Sequence, residues 1–261
     1  ELLFGFLQYT TFMIWILVNY NNTKDIHRIV SLDLEPVDIL VVDNSGNYNT
    51  LKDEITLSPN SNIGYIGGLQ YALRWCLKEG ISLSKVIFSN SDIRFKSVDM
   101  LNFLSKCNEV NTLYVPVISN LDGVSQNPHL LKRPSASFWR VRLFFATNSF
   151  SWTIFNVLAL IKSYLSKSVH RQNEVEMYAC HGSFMYFSDV DVQRLCTKEY
   201  NFLFGEEVHI AEVLRNLKGR IVLSNMLEIH HEEHVSTGKV RSSAKTRLFR
   251  DSYTYILRNY Y

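Results

Sequence analysis

"VDILVVDNSG", residues 37–46, is a largely apolar run that closes on a carboxylate and a turn. Its β-branched residues do not alternate with polar ones, the mark of a strand covered on both faces, as in a parallel sheet. Upstream, "MIWILVNY" (13–20) has the same character and is followed by polar "NNTKD", then by Ile26, Ile29, Val30 and Leu32 at helical spacing. Downstream comes a short strand, "EITLS" (54–58). "GYIGGLQYALRWCLKEG" (64–80) then places Leu69, Ala72, Leu73, Cys76 and Leu77 on one helical face and stops at Gly80. "KVIFSN" (85–90) is a fourth strand, "VDMLNFLSKC" (98–107) a helix and "TLYVPV" (112–117) a fifth strand. This alternation predicts an α/β fold with a mostly parallel sheet and helices on both faces.

Ligands of such sheets sit at the carboxyl ends of the strands. Asp43 ends the second strand and Asp92, in "SNSDIRF" (89–95), closely follows the fourth, so both should face one crevice. The glycines of "SNIGYIGGLQ" (61–70) match neither GxGxxG nor GxxxxGK[ST]. They do offer close backbone approach and a helix N-terminus, both suited to a diphosphate. The turn Asp43-Asn44-Ser45-Gly46 is able to accept hydrogen bonds from a ribose or a base N–H.

The second half is less regular. Residues 120–140 are turn-rich, and 141–168 are apolar and aromatic with helical leanings, suiting a core or lid helix pair or a helix on a membrane surface. "GSFMYFS" (182–188) reads as a strand, "GEEVHIAEVLRNLKG" (205–219) as an amphipathic helix, and "RIVLSN" (220–225) and "MLEIHHEEH" (226–234) as further segments. Glu206 and Glu207 in a first helical turn suit the helix dipole, and one of them could also serve as a general base. In a strand, His230, Glu232 and His234 would face one way and His231 and Glu233 the other, so only part of this cluster could meet one ion. Imidazole with carboxylate suits Mn²⁺ better than Mg²⁺.

The 261 residues, 46% hydrophobic, suffice for one large domain or two small ones, and a net charge of +2 argues against a strongly basic nucleic-acid binder. Cys76, Cys107, Cys180 and Cys196 lie far apart without CxxC spacing, as expected of reduced cytosolic thiols. Residues 2–22 are uncharged, but Gln8, Thr10 and Thr11 interrupt them and no basic segment precedes them. The strand reading is therefore preferred for 13–20. Residues 1–12 are unplaced: an extension, a packed segment or a membrane-contacting one. The segment 239–261 carries six cations, one acid and four tyrosines, and suits a solvated helical face or contact with anionic lipid or a lipid-diphosphate.

In their order, "ILVNYNN", "VVDNSG", "NIGYIGGLQYAL", "VIFSNSDIRF", "GSFMYFS" and "FLFGEEVHIAEVLRNLKGRIVLSNMLEIHH" resemble, block by block, the family 2 glycosyltransferases of GT-A fold, in particular the bacterial rhamnosyltransferase-like branch. The resemblance implies a single GT-A domain over 13–238. Its nucleotide-sugar-binding half is 13–118 and its acceptor and catalytic half 119–238, with 239–261 as a basic aromatic tail. It assigns Asn19, Tyr20, Asn21 and Asp43 to the nucleotide, and Asn62, Gly64, Gly68 and Gln70 to the donor pocket, with Gln70 where Asn is usual. Asn90-Ser91-Asp92 falls on the DxD-like motif with Asn in place of the first Asp, and Asp92 and His230 become ligands of a divalent ion. His231 is the second candidate. Glu207 is implied as the base, with Glu206 as its neighbour, and Gly182 and Ser183 open the acceptor side.

The resemblance further implies an inverting transfer from a dTDP-rhamnose or UDP-sugar donor to a saccharide or lipid-linked saccharide in O-antigen or capsule assembly. It also implies a cytoplasmic protein with peripheral contact at the inner membrane face. The replacements at Asn90 and Glu207 keep open an inactive nucleotide-sugar-binding partner subunit. A Rossmann oxidoreductase is disfavoured by the missing glycine fingerprint.

Overall fold

The computed structural model describes residues 13–32, 34, 37–96, 100–147, 150, 174–196, 203–232 and 242–261. The expectations for residues 1–12 and for most of 141–168 lie outside them.

Strand β1 (Met13–Asn19) leads to helix α1 (Thr23–Val30), β2 (Val37–Asp43) and β3 (Ile55–Leu57). Helix α2 (Tyr65–Lys78), β4 (Lys85–Ser89), β5 (Ile93–Phe95), α3 (Met100–Lys106) and β6 (Thr112–Asn120) follow. The second half holds α4 (Ala136–Phe145), β7 (Glu174–Met177), β8 (Phe184–Ser188), α5 (Glu206–Asn216), β9 (Arg220–His231) and α6 (Ser242–Tyr260). The sheet order is β3-β2-β1-β4-β8-β6-β9-β5, with β7 also on β9. Strands β1, β2, β3, β4, β6 and β9 run one way and β5, β7 and β8 the other.

Strand parity divides the apolar residues between two layers. Ile14, Ile16, Leu40, Val42, Val86, Phe88, Met185 and Phe187 pack under α2 and α5. Trp15, Leu17, Val41, Ile87, Phe184 and Tyr186 pack under α1 and α3 on the other face. Coverage on both sides explains why these strands read as continuous apolar runs.

The two segments expected at 220–225 and 226–234 form one strand over Arg220–His231, with a break in register opposite Pro116, and residues 233–234 lie outside the described ones. Pro116 pairs with Ser224 and Val117 with Glu228, so β9 carries three extra residues there. Proline has no N–H to give to the ladder, which favours an irregularity at that point. The odd insertion flips the side-chain parity. Ile221 and Leu223 belong to the α2/α5 layer, whereas Leu227 and Ile229 belong to the α1/α3 layer.

The expected tail is helical and is packed onto the domain over 242–260. Tyr253 and Ile256 of α6 are buried against Trp139 of α4 and Val208 of α5. Arg133 ties the C-terminus down: it donates to the Tyr260 carbonyl at 2.6 Å, pairs with buried Glu212 at 2.6 Å and lies 4.0 Å over the Tyr261 ring. Among the described residues no helix is long and apolar enough to cross a membrane.

Candidate active site

The carboxyl ends of β1, β2 and β4 lie side by side in the parallel sheet, where ligands of such sheets bind. At the first, Asn19 is fully buried. Its amide donates to Asp43 Oδ1 at 2.9 Å, and its oxygen accepts from the Asn22 backbone. Asp43 also accepts from the Ser45 N–H and hydroxyl through Oδ1 and from the Tyr48 N–H through Oδ2. Burial pushes its carboxyl up, but the hydrogen bonds from Ser45, Tyr48 and Asn19 outweigh this and hold it below the usual carboxylate range. Asp43 thus shapes the loop that follows it. Tyr20 is 46% exposed, and Asn21 stands at φ 57°, accepting from the Asn47 amide.

Asn44, read in the sequence only as part of the turn from Asp43 to Gly46, holds the glycine block in place. Its amide donates to the Gly64 carbonyl and its oxygen accepts from the Ile63 N–H, while Asn62 Oδ1 accepts from the Gly64 N–H. Gly64 precedes α2 with φ 78° and ψ −175°, a conformation essentially closed to side-chain-bearing residues. Gly68 lets the helix lie against β1: a Cβ there would stand 2.6 Å from Val18 Cγ2. Gln70, expected in the donor pocket, is instead buried with its amide on the Leu195 carbonyl at 2.6 Å. The helical period turns residue 70 toward the interior.

The Asp92 turn is fixed from below. Arg28 donates to the Ser91 carbonyl at 3.1 Å and the Ile93 carbonyl at 2.7 Å, one on each side of Asp92. Arg94 spans Asp25 at 2.7 Å and Glu232 at 2.9 Å, joining α1 to the end of β9. Asn22 donates to the Ser91 hydroxyl. These partners have no common spacing in the sequence, so no motif announces them.

The histidine beside Asp92 is His231, which the resemblance ranks second to His230. His231 Nε2 lies 3.3 Å from Asp92 Oδ1 and 3.0 Å from the Asn90 amide nitrogen, while Nδ1 faces Gln126 Oε1 at 3.0 Å. His230 points elsewhere, with Nδ1 3.0 Å from the Ser119 hydroxyl. The parity flip opposite Pro116 decides this, because it puts residue 231 on the face of Leu227 and Ile229. With the Nδ1 proton donated to Gln126, Nε2 accepts from the Asn90 amide, so an ion between Nε2 and Asp92 would have to displace that hydrogen bond. A carboxylate oxygen and a neutral imidazole nitrogen at this separation form a fitting donor pair for Mn²⁺ or Mg²⁺. Among the described residues no group of three or more His, Cys, Asp or Glu is placed to hold an ion. The remaining ligands would have to come from a bound anion and water.

Across the crevice, α5 begins at Gly205, whose φ of 79° is left-handed, and presents Glu206 and Glu207. Both approach Gly182: a Cβ there would lie 3.6 Å from Glu207 Oε1, 3.8 Å from Tyr65 Cε1 and 3.9 Å from Glu206 Cγ. Tyr65 donates to the Gly182 carbonyl at 2.7 Å and stacks on Phe88 with centroids 4.3 Å apart. Burial drives its phenol well above the ordinary value, and the charges of Glu206, Asp92 and Glu207 add to this. Tyr65 therefore marks where the acids of the two sides meet. The Ser183 carbonyl, which accepts from the Asn90 N–H at 2.9 Å, completes a short path from Asp92 to Glu207. His181 is held neutral, pulled down to about 3 by burial and by the neighbouring His231 and His129.

No family model matches the chain, and neither does any curated protein. Among solved structures it is similar to GalNAc-T7 with UDP, GalNAc and Mn²⁺. The TM-score is 0.55 at 12% identity, over 95% of this chain and 49% of that one. The fold is of the GT-A type. The chain thus spans about half the length of GalNAc-T7. Lesser likenesses are to A197 from STIV (TM-score 0.46, 13% identity, 86% of this chain and 87% of that one). HddC from Yersinia pseudotuberculosis complexed with GMP-PN is a further one (0.41, 7%, 93% and 99%). Within the GT-A frame, the Asp92–His231 pair and the Glu206–Glu207 pair border the crevice at the carboxyl ends of the parallel strands.

Proposed function

We propose that the protein is a glycosyltransferase that moves a sugar from a nucleoside-diphosphate donor to a hydroxyl of a saccharide or lipid-linked saccharide. The observation that carries this reading is the meeting of two unlike acidic sites at one crevice. Asp92 with His231 is suited to a cation, and Glu206 with Glu207 lies across Tyr65 and Gly182 from them. The GT-A fold adds support, as does the UDP and Mn²⁺ of the similar GalNAc-T7 structure.

In this mechanism Asn19 and Asp43 shape the loop that receives the nucleoside, and the Asn62–Gly64 turn brings backbone close to the diphosphate. Asp92 and His231 would hold a divalent ion, Mn²⁺ or Mg²⁺, whose charge offsets that of the departing diphosphate. Glu207 accepts the proton of the acceptor hydroxyl. The hydroxyl oxygen bonds to the anomeric carbon from the side opposite the diphosphate, and the carbon–oxygen bond to the diphosphate breaks with its electron pair on the leaving group. The anomeric configuration inverts. The sequence blocks favour a rhamnosyltransferase-like donor choice, dTDP-rhamnose or a UDP-sugar, and a place in bacterial surface-polysaccharide assembly.

The test is a panel of nucleotide sugars with Mn²⁺, read by mass spectrometry for transfer and slow donor hydrolysis. Asp92→Ala should abolish metal-dependent donor binding, whereas Glu207→Ala should keep binding and lose turnover. Full transfer by Glu207→Ala would refute its role as base. Nucleotide binding without turnover on any donor would refute the enzymatic reading.

A further inference from the structure

The two acids of α5 lie between contacts with the last helix of the chain. Phe204, two residues before Glu206, has a left-handed backbone with φ 68°, and Gly205 after it is left-handed too, with φ 79°. Glycine adopts this conformation freely, whereas an aromatic residue does so at a cost and only where its surroundings hold it. Helix α6 supplies such a hold. The Phe204 ring stacks on Phe249, with centroids 4.1 Å apart and planes 16° from parallel. Phe249 in turn lies 5.9 Å from the Tyr253 ring, and Tyr253 and Ile256 pack with Val208, the residue after Glu207. One residue further, buried His209 meets the Tyr260 hydroxyl through Nδ1 at 2.5 Å. Phe249, Tyr253, Ile256 and Tyr260 recur at helical spacing and share one face of α6. Arg247 and Arg258 stand exposed on the other.

Gly205 occupies the N-cap position of α5 and gives it no side-chain cap, so the first turn depends on tertiary contacts for its place. That place matters for the chemistry. Glu206 Oε2 is enclosed without a hydrogen-bond partner, and burial, reinforced by the charge of Glu207, pushes this carboxyl up to about 8. A neutral acid cannot take a proton, so the work of a base falls to Glu207. A base must come within hydrogen-bond reach of the hydroxyl it serves, and a misplacement of about 1 Å is able to cost roughly a hundredfold in rate.

Resting on the glycosyltransferase reading, we propose that α6 belongs to the catalytic apparatus: Phe249, through Phe204, and Tyr260, through His209, are positioning residues that aim Glu207 at the acceptor hydroxyl. Neither acts on the substrate itself. Phe249 keeps the strained turn at 204 closed from one side of the acid pair, and Tyr260 fixes the helix on the other. The segment whose cations suggest a solvated tail thus works through its aromatic face.

Hydrogen exchange of the full chain, read by mass spectrometry, tests the hold without any ligand. Phe249→Leu keeps apolar bulk but loses the flat ring, and should speed exchange over residues 206–212 about tenfold while β1 and β4 exchange as in wild type. Tyr260→Phe keeps its ring but loses the bond to His209, and should speed the same stretch about fivefold. Transfer from the donor found in the panel tests the aim. Both variants should lower kcat, Phe249→Leu about tenfold, and leave the donor KM within about twofold of wild type. Phe204→Asn added to Phe249→Leu should recover most of the lost kcat, because asparagine tolerates the left-handed region without a stacking partner. Arg258→Ala, on the outer face, should leave exchange and kcat unchanged.

Wild-type exchange over 206–212 in Phe249→Leu, a donor KM that worsens in step with kcat, or no recovery by Phe204→Asn would overturn the proposal. Failure of the wild type to turn over any nucleotide sugar would instead defeat the glycosyltransferase reading, and the exchange rates would still decide whether α6 holds the turn that carries Glu206 and Glu207.

Discussion

Gly67 and Gly68 are neighbours in the first turns of α2, and replacing each by alanine separates close packing from helix propensity. Both substitutions gain the same intrinsic helix preference, about 0.8–1 kcal/mol. They differ in what the new Cβ meets. At Gly68 it lies 2.6 Å from Val18 Cγ2 and 3.1 Å from Cγ1, on the strand at the middle of the parallel sheet. At Gly67 the nearest atom is Ile63 Cβ at 3.3 Å, in the loop before the helix. Overpacking of a close-packed interior costs about 1–3 kcal/mol, so it outweighs the propensity gain at Gly68 and roughly cancels it at Gly67. Urea unfolding should show Gly67→Ala within about 0.5 kcal/mol of wild type and Gly68→Ala less stable by up to about 2 kcal/mol, with unchanged m. Adding Val18→Ala to Gly68→Ala should recover part of the loss, because it removes the methyls that clash. If the two glycine variants are equally stable, α2 does not rest on β1 through Gly68.

Three further outcomes are expected from the same structure. The Glu206 carboxyl is raised in the folded chain from 4.5 to about 8. Its contribution to stability is therefore full below pH 4.5 and is lost as pH rises through 8. Relative to wild type, Glu206→Gln should gain stability steadily between pH 5 and pH 9 in denaturant titrations, and parallel curves would count against the burial of a neutral acid. His231→Ala should weaken Mn²⁺-dependent UDP binding tenfold or more by calorimetry, and His230→Ala should cost clearly less; the reverse order would restore His230 as the ligand. Arg28→Gln removes two charge-assisted bonds to the carbonyls flanking Asp92 and should cost about 2–3 kcal/mol in urea unfolding. It should also loosen ion binding through Asp92, and a variant as stable as wild type would show that the turn does not depend on Arg28.

The strands were legible because burial on both faces writes itself into composition. Val37–Asp43 occupies the range expected for it, and Lys85–Ser89 differs by one residue. Short elements were not legible. Ile93–Phe95 and Glu174–Met177 are held by pairing to β9 and carry no periodicity of their own. Helix α6 was read as a tail because its cations dominate the composition. Yet Tyr253 and Ile256, on one face, bury against Trp139 of a helix more than a hundred residues earlier. Glu206 and Glu207 look alike as letters, and only the enclosure of Oε2 makes them different acids.

The sequence by itself determined the layered α/β architecture and the carboxyl-end crevice, since strand burial and βα order are local properties of the chain. It also supplied Asp92, Glu206 and Glu207 as candidate acids. Tertiary structure alone decided that His231 and not His230 meets Asp92, through an odd insertion opposite Pro116 that flips which face each later residue occupies. It decided as well that Gln70 turns inward and that Arg28 holds the Asp92 turn. Such facts depend on register, parity and approach between distant segments, and those are fixed only when the chain has closed on itself.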